Sequence, residues 1–199
     1  MCQICDKTYD DNTTELICCQ NVTEIPLLPE LEILYCAYTK ITETPLLPKL
    51  KYLYCSNIKI IKIPLLPELK YLDCHSTKIT EIPLLSHLER LFCYDTKITE
   101  IPILPKLIWL WCDNTNITEI PLLPKLERLD CDNTKITALP NIPNCYIEAD
   151  NCIWLNSTAD RINKLVKLQK WLRYGLNKRT KIIHAAMHTY RDLVYVLYA

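Results

Sequence analysis

Four cysteines stand close to the start of the chain, as Cys2-x-x-Cys5 and, twelve residues on, the adjacent pair Cys18-Cys19. A Cys-x-x-Cys element offers two thiolates to one ion, and tetrahedral zinc held by protein alone needs four ligands. Cys2, Cys5, Cys18 and Cys19 are therefore the candidate metal set, and zinc is the one cofactor in view. A plain thiol-rich cap is the other reading of the same residues. Catalytic chemistry is harder to find. His184 and His188 have the spacing of one helical face, but no Glu lies between them, as a metalloprotease helix would require. His75 adjoins Cys74 and lies near Asp73 and Asp95, yet a Cys–His nucleophile needs an exposed, activated thiolate. The only glycine, Gly175, excludes glycine-rich phosphate loops from the rest of the chain. No enzyme is expected.

Cys74 belongs to a regular row. Cys36, Cys55, Cys74, Cys93, Cys112 and Cys131 recur every 19 residues, each two places after a leucine, and Pro-Leu-Leu-Pro or a near copy follows each coil's turn. A strict period of this length means one small unit stacked many times. Six full copies begin at Leu31, Leu50, Leu69, Leu88, Leu107 and Leu126, with a partial copy before them and a degenerate one after. Leu-x-x-Leu-x-Cys alternates inward and outward residues as a short half-buried strand does. Thr-Lys-Ile-Thr turns the chain and adds an inward Ile at 41, 60, 79, 98, 117 and 136. The prolines then hold the return segment extended. Stacked about 4.8 Å apart, the copies form interior columns of Leu, Cys and Ile, with Cys acting as a small hydrophobe. A disulfide ladder or metal column is the competing reading, and register-paired parallel strands suit neither.

Composition sets outer limits. Apolar residues make up 49% of the chain, but no run approaches the roughly 18 residues of a membrane span. The opening residues lack the basic and apolar stretches of a secretory signal, and twelve cysteines then favour free thiols in a reducing compartment. The zero net charge hides an asymmetry: residues 156–199 carry nine Lys/Arg against two Asp/Glu, and the remainder is correspondingly acidic.

The repeat unit, Leu-x-x-Leu-x-Cys-x-x-Thr-x-Ile-Thr-x-Ile-Pro, resembles the leucine-rich repeat family, with Cys for the third Leu. Its Ile-Pro-x-Leu-Pro return is similar to the short repeats of bacterial effectors. The Cys column and Thr-Lys-Ile-Thr turns resemble leucine-rich repeat proteins of giant DNA viruses of the mimivirus kind. The resemblance covers roughly residues 14–155. It implies an α/β-type solenoid, mostly β: a right-handed superhelix of 19-residue coils with a parallel sheet on one face. In the family Thr39, Thr77, Thr96, Thr115 and Thr134 would take the place of a buried hydrogen-bonding ladder, weakened at Ile58. The implied setting is intracellular, host cytoplasm or virion, and not secreted.

In that family the outward strand residues of the concave face meet a partner. The position before the Cys reads Tyr35, Tyr54, Asp73, Phe92, Trp111 and Asp130; the position before the second Leu reads Ile33, Tyr52, Tyr71, Arg90, Trp109 and Arg128. Tyr94 follows Cys93. Exposed aromatics beside Arg are the usual material of binding hot spots. Tyr35, Tyr52, Tyr54, Tyr71, Arg90, Phe92, Tyr94, Trp109, Trp111, Arg128 and Asp130 are thus the candidate partner-binding residues. Shielding of the sheet, or coverage by the C-terminal segment, are the other uses for such side chains. Asp113, Asp130 and Asp132 favour a basic or mixed protein partner, host or viral, over nucleic acid.

Three segments follow: a Cys-containing cap over 1–13, the solenoid of about eight coils over 14–155, and a basic helical hairpin cap over 156–199. Asn156-Ser-Thr158-Ala-Asp160 gives the hairpin a helix start, and Ile162, Leu165, Leu172 and Leu176 recur at helical spacing. Leu168-Gln169 with Arg173 and Lys178 resembles the IQ motif, which implies a calmodulin-like partner. Cys2-Gln-Ile-Cys5 resembles the opening of a RING finger, which implies a ubiquitin-ligase-associated adaptor or small zinc-binding module as the alternative function. The further ligand pairs of a RING are missing, because the repeats begin at once.

Overall fold

The computed structural model describes residues 2–142, 145–149 and 152. The expected helical hairpin over 156–199 and its IQ-like segment lie outside the described residues. Those described belong to one unit, Met1–Leu155. A short helix, α1 (Gln3–Asp6), precedes eight three-residue strands: β1 (Glu15–Ile17), β2 (Ile33–Tyr35), β3 (Tyr52–Tyr54), β4 (Tyr71–Asp73), β5 (Arg90–Phe92), β6 (Trp109–Trp111), β7 (Arg128–Asp130) and β8 (Tyr146–Glu148). They form a single parallel sheet in chain order. The eight strands enclose about seven turns, where the sequence leads to about eight coils, because the last strand has no described return segment.

Register follows the repeat. Leu16, Leu34, Leu53, Leu72, Leu91, Leu110, Leu129 and Ile147 pair rung to rung through the middle of every strand. Leu, Cys and Ile line the interior columns, the six row cysteines with no exposed surface at all. Each buried Leu or Ile contributes about 1.5–3 kcal/mol, so no single coil supplies the stability that the stack does. Burial pushes the thiols of Cys55, Cys74 and Cys112 well above their ordinary range.

Each coil turns twice. Leu31 N–H donates to Leu28 O at 3.2 Å, and equivalent bonds recur at Leu50, Leu69, Leu88, Leu107 and Leu126. The residue after the first Leu of each turn is Pro29, Pro48, Pro67, Ser86, Pro105 or Pro124, and in the five prolines a fixed φ near −65° presets the bend. The other turn places the residue two after each row cysteine in the left-handed region: Tyr38, Asn57, Ser76, Asp95, Asn114 and Asn133, with φ between 53° and 59°. Asn and Asp tolerate this conformation; a bulky Tyr does so at a cost.

The threonines behave differently from the expected ladder between coils. Thr77 Oγ1–H donates to Cys74 O at 2.7 Å, and Thr39, Thr96, Thr115 and Thr134 repeat the bond to the cysteine three residues back. Each of these bonds closes its own turn, and Thr134 Oγ1 also meets Cys152 Sγ of the next coil at 3.3 Å. Ile58 therefore forfeits one local bond and interrupts no ladder.

In Pro-Leu-Leu-Pro the second apolar residue is buried, and the first is turned to solvent. Leu27, Leu46, Leu65, Leu84, Ile103 and Leu122 are 59–73% exposed and form an aliphatic stripe along the return side. Among the described residues no helix is long and apolar enough to cross a membrane.

Candidate functional site

A three-residue strand with a buried centre turns its first and third side chains outward, so each strand from β2 to β7 contributes two residues to one face, and β8 continues the register with a half-buried centre. Parallel register then ranks them in two columns. Most are half-buried, and Tyr52 at 38% is among the more open. The aromatics of this face pack on one another along the sheet.

The row begins with Tyr35 stacked on Tyr54, ring centroids 4.6 Å apart and 13° from parallel. Tyr54 meets Tyr71 at 4.7 Å, Tyr71 meets Phe92 at 5.3 Å, and Phe92 meets Trp111 edge-on at 4.8 Å. Tyr71 belongs to the other column. It crosses over because its neighbour Asp73, the register partner of Tyr54 and Phe92, has no ring to continue the stack. Burial of this row raises the Tyr71 hydroxyl to about 12, with the nearby Asp73 charge acting in the same sense.

Two arginines complete the face. The Arg90 guanidinium lies 4.4 Å from the Trp109 ring centroid, and Arg128 lies 5.3 Å from Trp111 and 5.5 Å from Tyr146. Arg128 Nη2 also stands 3.6 Å from Glu148 Oε2. Among the described residues, Trp111 Nε1 and Arg128 Nε are buried without a hydrogen-bond partner. Beside them burial raises the Asp130 carboxyl to about 7, with the charges of Asp113, Asp132 and Glu148 adding to it. Glu148 and Tyr146 were missed by sequence reasoning because they lie in the degenerate copy, which has no Cys at the usual interval to mark the strand. Their signal was Ile147, the aliphatic residue in the inward column.

Tyr94 sits apart from the aromatic row. Its ring stacks on His75 at 4.3 Å and 8°, while His75 Nδ1 lies 2.6 Å from Asp73 Oδ1 and its Nε2 lies 3.1 Å from Asn57 Nδ2. An Asn amide nitrogen only donates, so Nε2 accepts and Nδ1–H donates to Asp73. Both ring nitrogens are thereby engaged.

Of the candidate metal residues, Cys2, Cys5 and Cys19 come together, their sulfurs all within 4.8 Å of one another. Cys18 stands outside that group. It continues the register of β1, its N–H donating to Tyr35 O at 2.9 Å, which directs its side chain toward the cysteine column. Its thiol, pushed up to about 12 by burial and by the other three sulfurs, lines a shallow hollow of about 230 Å³ with Cys2, Ile17 and Cys19. The Cys5 thiol is raised to about 12 through its contacts with the Cys19 and Cys2 thiols. At Cys2 burial acts upward, but hydrogen bonds from the backbone N–H groups of Cys5 and Cys19 and from their thiols together bring the thiol down to about 7.

Comparison with known proteins bears on the solenoid. The family profile described as "Leucine Rich repeats (2 copies)" matches residues 48–87 and 105–144. The fold is similar to that of a leucine-rich repeat protein of Leptospira interrogans, with a TM-score of 0.67 at 23% identity over 80% of this chain and 48% of that one. A leucine-rich repeat domain of a Shigella effector gives a TM-score of 0.66 at 25% identity, over 80% of this chain and 77% of that one. The leucine-rich repeat chain FLRT2, solved in an octameric complex with Latrophilin 3 and Unc5D, gives 0.55 at 23% identity over 74% and 52%. This chain thus spans about half the length of the Leptospira and FLRT2 chains. No curated protein matches the sequence. Those two stretches match the leucine-rich repeat profile, and the solved structures share the fold of the solenoid; nothing found supports the ubiquitin-ligase reading.

Proposed function

We propose that this leucine-rich repeat solenoid is a non-catalytic module that binds a protein partner through the sheet face of β2–β7. Leucine-rich repeat proteins generally mediate protein–protein interaction, and FLRT2 is found assembled with other proteins. The observation that carries the reading is the continuous aromatic row from Tyr35 to Trp111, flanked by Arg90 and Arg128. Rigid rings already ordered by their neighbours lose little freedom on docking, and Trp, Tyr and Arg dominate measured hot spots. The acidic group at Asp113, Asp130 and Asp132 suits a partner with basic side chains and opposes nucleic acid. The giant-virus likeness of the repeats supports a host or viral protein as that partner. The twelve cysteines of the sequence support a reducing, intracellular setting.

The test is affinity capture from the native cell with the wild type and with Trp109→Ala/Trp111→Ala, each variant first shown to unfold cooperatively. Loss of a partner by the double variant is expected, on the order of 30-fold or more in affinity for a 2 kcal/mol hot spot. Recovery of the same partners undiminished removes the aromatic face as the site.

A further inference from the structure

A second cluster of chemistry lies beside β1, at the N-terminal edge of the sheet, and nothing in the binding reading uses it. Cys2 and Cys5 flank or sit on α1, and Cys19 follows β1, so residues far apart in sequence supply three sulfurs to one point. Cys5 Sγ is 3.5 Å from Cys19 Sγ, too far for a covalent bond and close to the separation of two ligands on one ion. Four sulfurs around zinc at about 2.3 Å stand about 3.8 Å apart. A limit of 4.8 Å on all three pairs therefore requires only small side-chain adjustment.

A second observation points the same way. The Cys19 N–H donates to Cys2 Sγ at 3.3 Å, an arrangement that stabilises negative charge on a sulfur. The donor set is soft, all thiol, and excludes magnesium and calcium, which take oxygen.

We propose that Cys2, Cys5 and Cys19 form a binding site for Zn²⁺, with Cys18 turning in from the wall of the adjoining hollow as the fourth ligand. Each thiol loses its proton to solvent on binding, and no redox step is involved. The ion ties the N-terminal segment to the first rung of the stack, where the solenoid's raw end needs a cover. The claim is independent of the partner-binding face.

The experiment uses the full chain, purified under reducing conditions, loaded with zinc and desalted. Metal analysis is expected to give about one zinc per chain for the wild type and for the control Cys145→Ser, and background for Cys5→Ser. Cys5 is exposed and outside the core, so its variant should retain the wild-type circular dichroism; Cys2→Ser serves as the second variant. Cobalt in place of zinc should show thiolate-to-metal charge transfer in the wild type, weakened in Cys18→Ser. Wild-type protein without zinc, or Cys5→Ser and Cys2→Ser with full zinc, overturns the site. A Cys18→Ser variant with unchanged affinity and unchanged charge transfer overturns the fourth ligand.

Discussion

Arg90 and Trp109 are register partners on adjacent parallel strands, and the guanidinium sits 4.4 Å above the indole centroid. The strands do the positioning, and the contact follows from register alone. A double-mutant cycle with Arg90→Ala and Trp109→Ala, read by urea denaturation, is expected to give a coupling of about 0.5–1 kcal/mol, the range for a cation–π pair open to water. Arg90→Lys should recover only part of it, since an ammonium lacks the planar face. A coupling indistinguishable from zero means the pair is not formed in solution.

Thr44 occupies the column held by Ile25, Ile63, Ile82, Ile101 and Ile120 in the other coils, and it is buried. Among the described residues its hydroxyl has no hydrogen-bond partner. Removing a buried, unpaired hydroxyl without opening a cavity stabilises by about 1 kcal/mol or more. Thr44→Val should therefore raise the urea midpoint with the slope unchanged. A fall in the midpoint would show that the hydroxyl is satisfied.

Asp130 gives a pH dependence. Its folded carboxyl holds a proton up to about 7, whereas an unfolded Asp releases it near about 4. Between these values the folded state binds more protons, so stability from this group falls as pH rises through the window. The charges of Asp113, Asp132 and Glu148 act in the same sense as burial, and Arg128 Nη2 stands 3.6 Å from Glu148. The gain in melting temperature of Asp130→Asn over wild type should widen from about pH 4 to pH 8. Parallel curves across that range would rule out the raised carboxyl.

The interior was legible in the sequence because a 19-residue period repeats both the inward residue and its neighbours above and below. Leu72, Cys74 and Ile79 each have the same residue type in adjacent coils, so one copy defines the column. The outward face was legible as a set of residues but not as an arrangement. Column-by-column reading keeps Tyr71 and Phe92 apart, and only the missing ring at Asp73 explains why they touch. The left-handed turn at Tyr38 was invisible for another reason. Glycine usually marks such a position, and here six coils make the turn without one. At the N-terminus the Cys-x-x-Cys spacing marked the thiols, while the exclusion of Cys18 from their cluster depended on the register of β1.

The outer rim of β1 has a consequence for how copies of the chain meet. Ile17 N–H is received by Gln3 Oε1 at 2.9 Å, and Cys19 N–H by the Cys2 sulfur. Two side chains from the leading segment thus stand where a neighbouring molecule's carbonyls would dock. A stack of identical rungs is otherwise a template for its own extension. With these donors already taken, the first rung is a poor seed for edge-to-edge pairing with another copy.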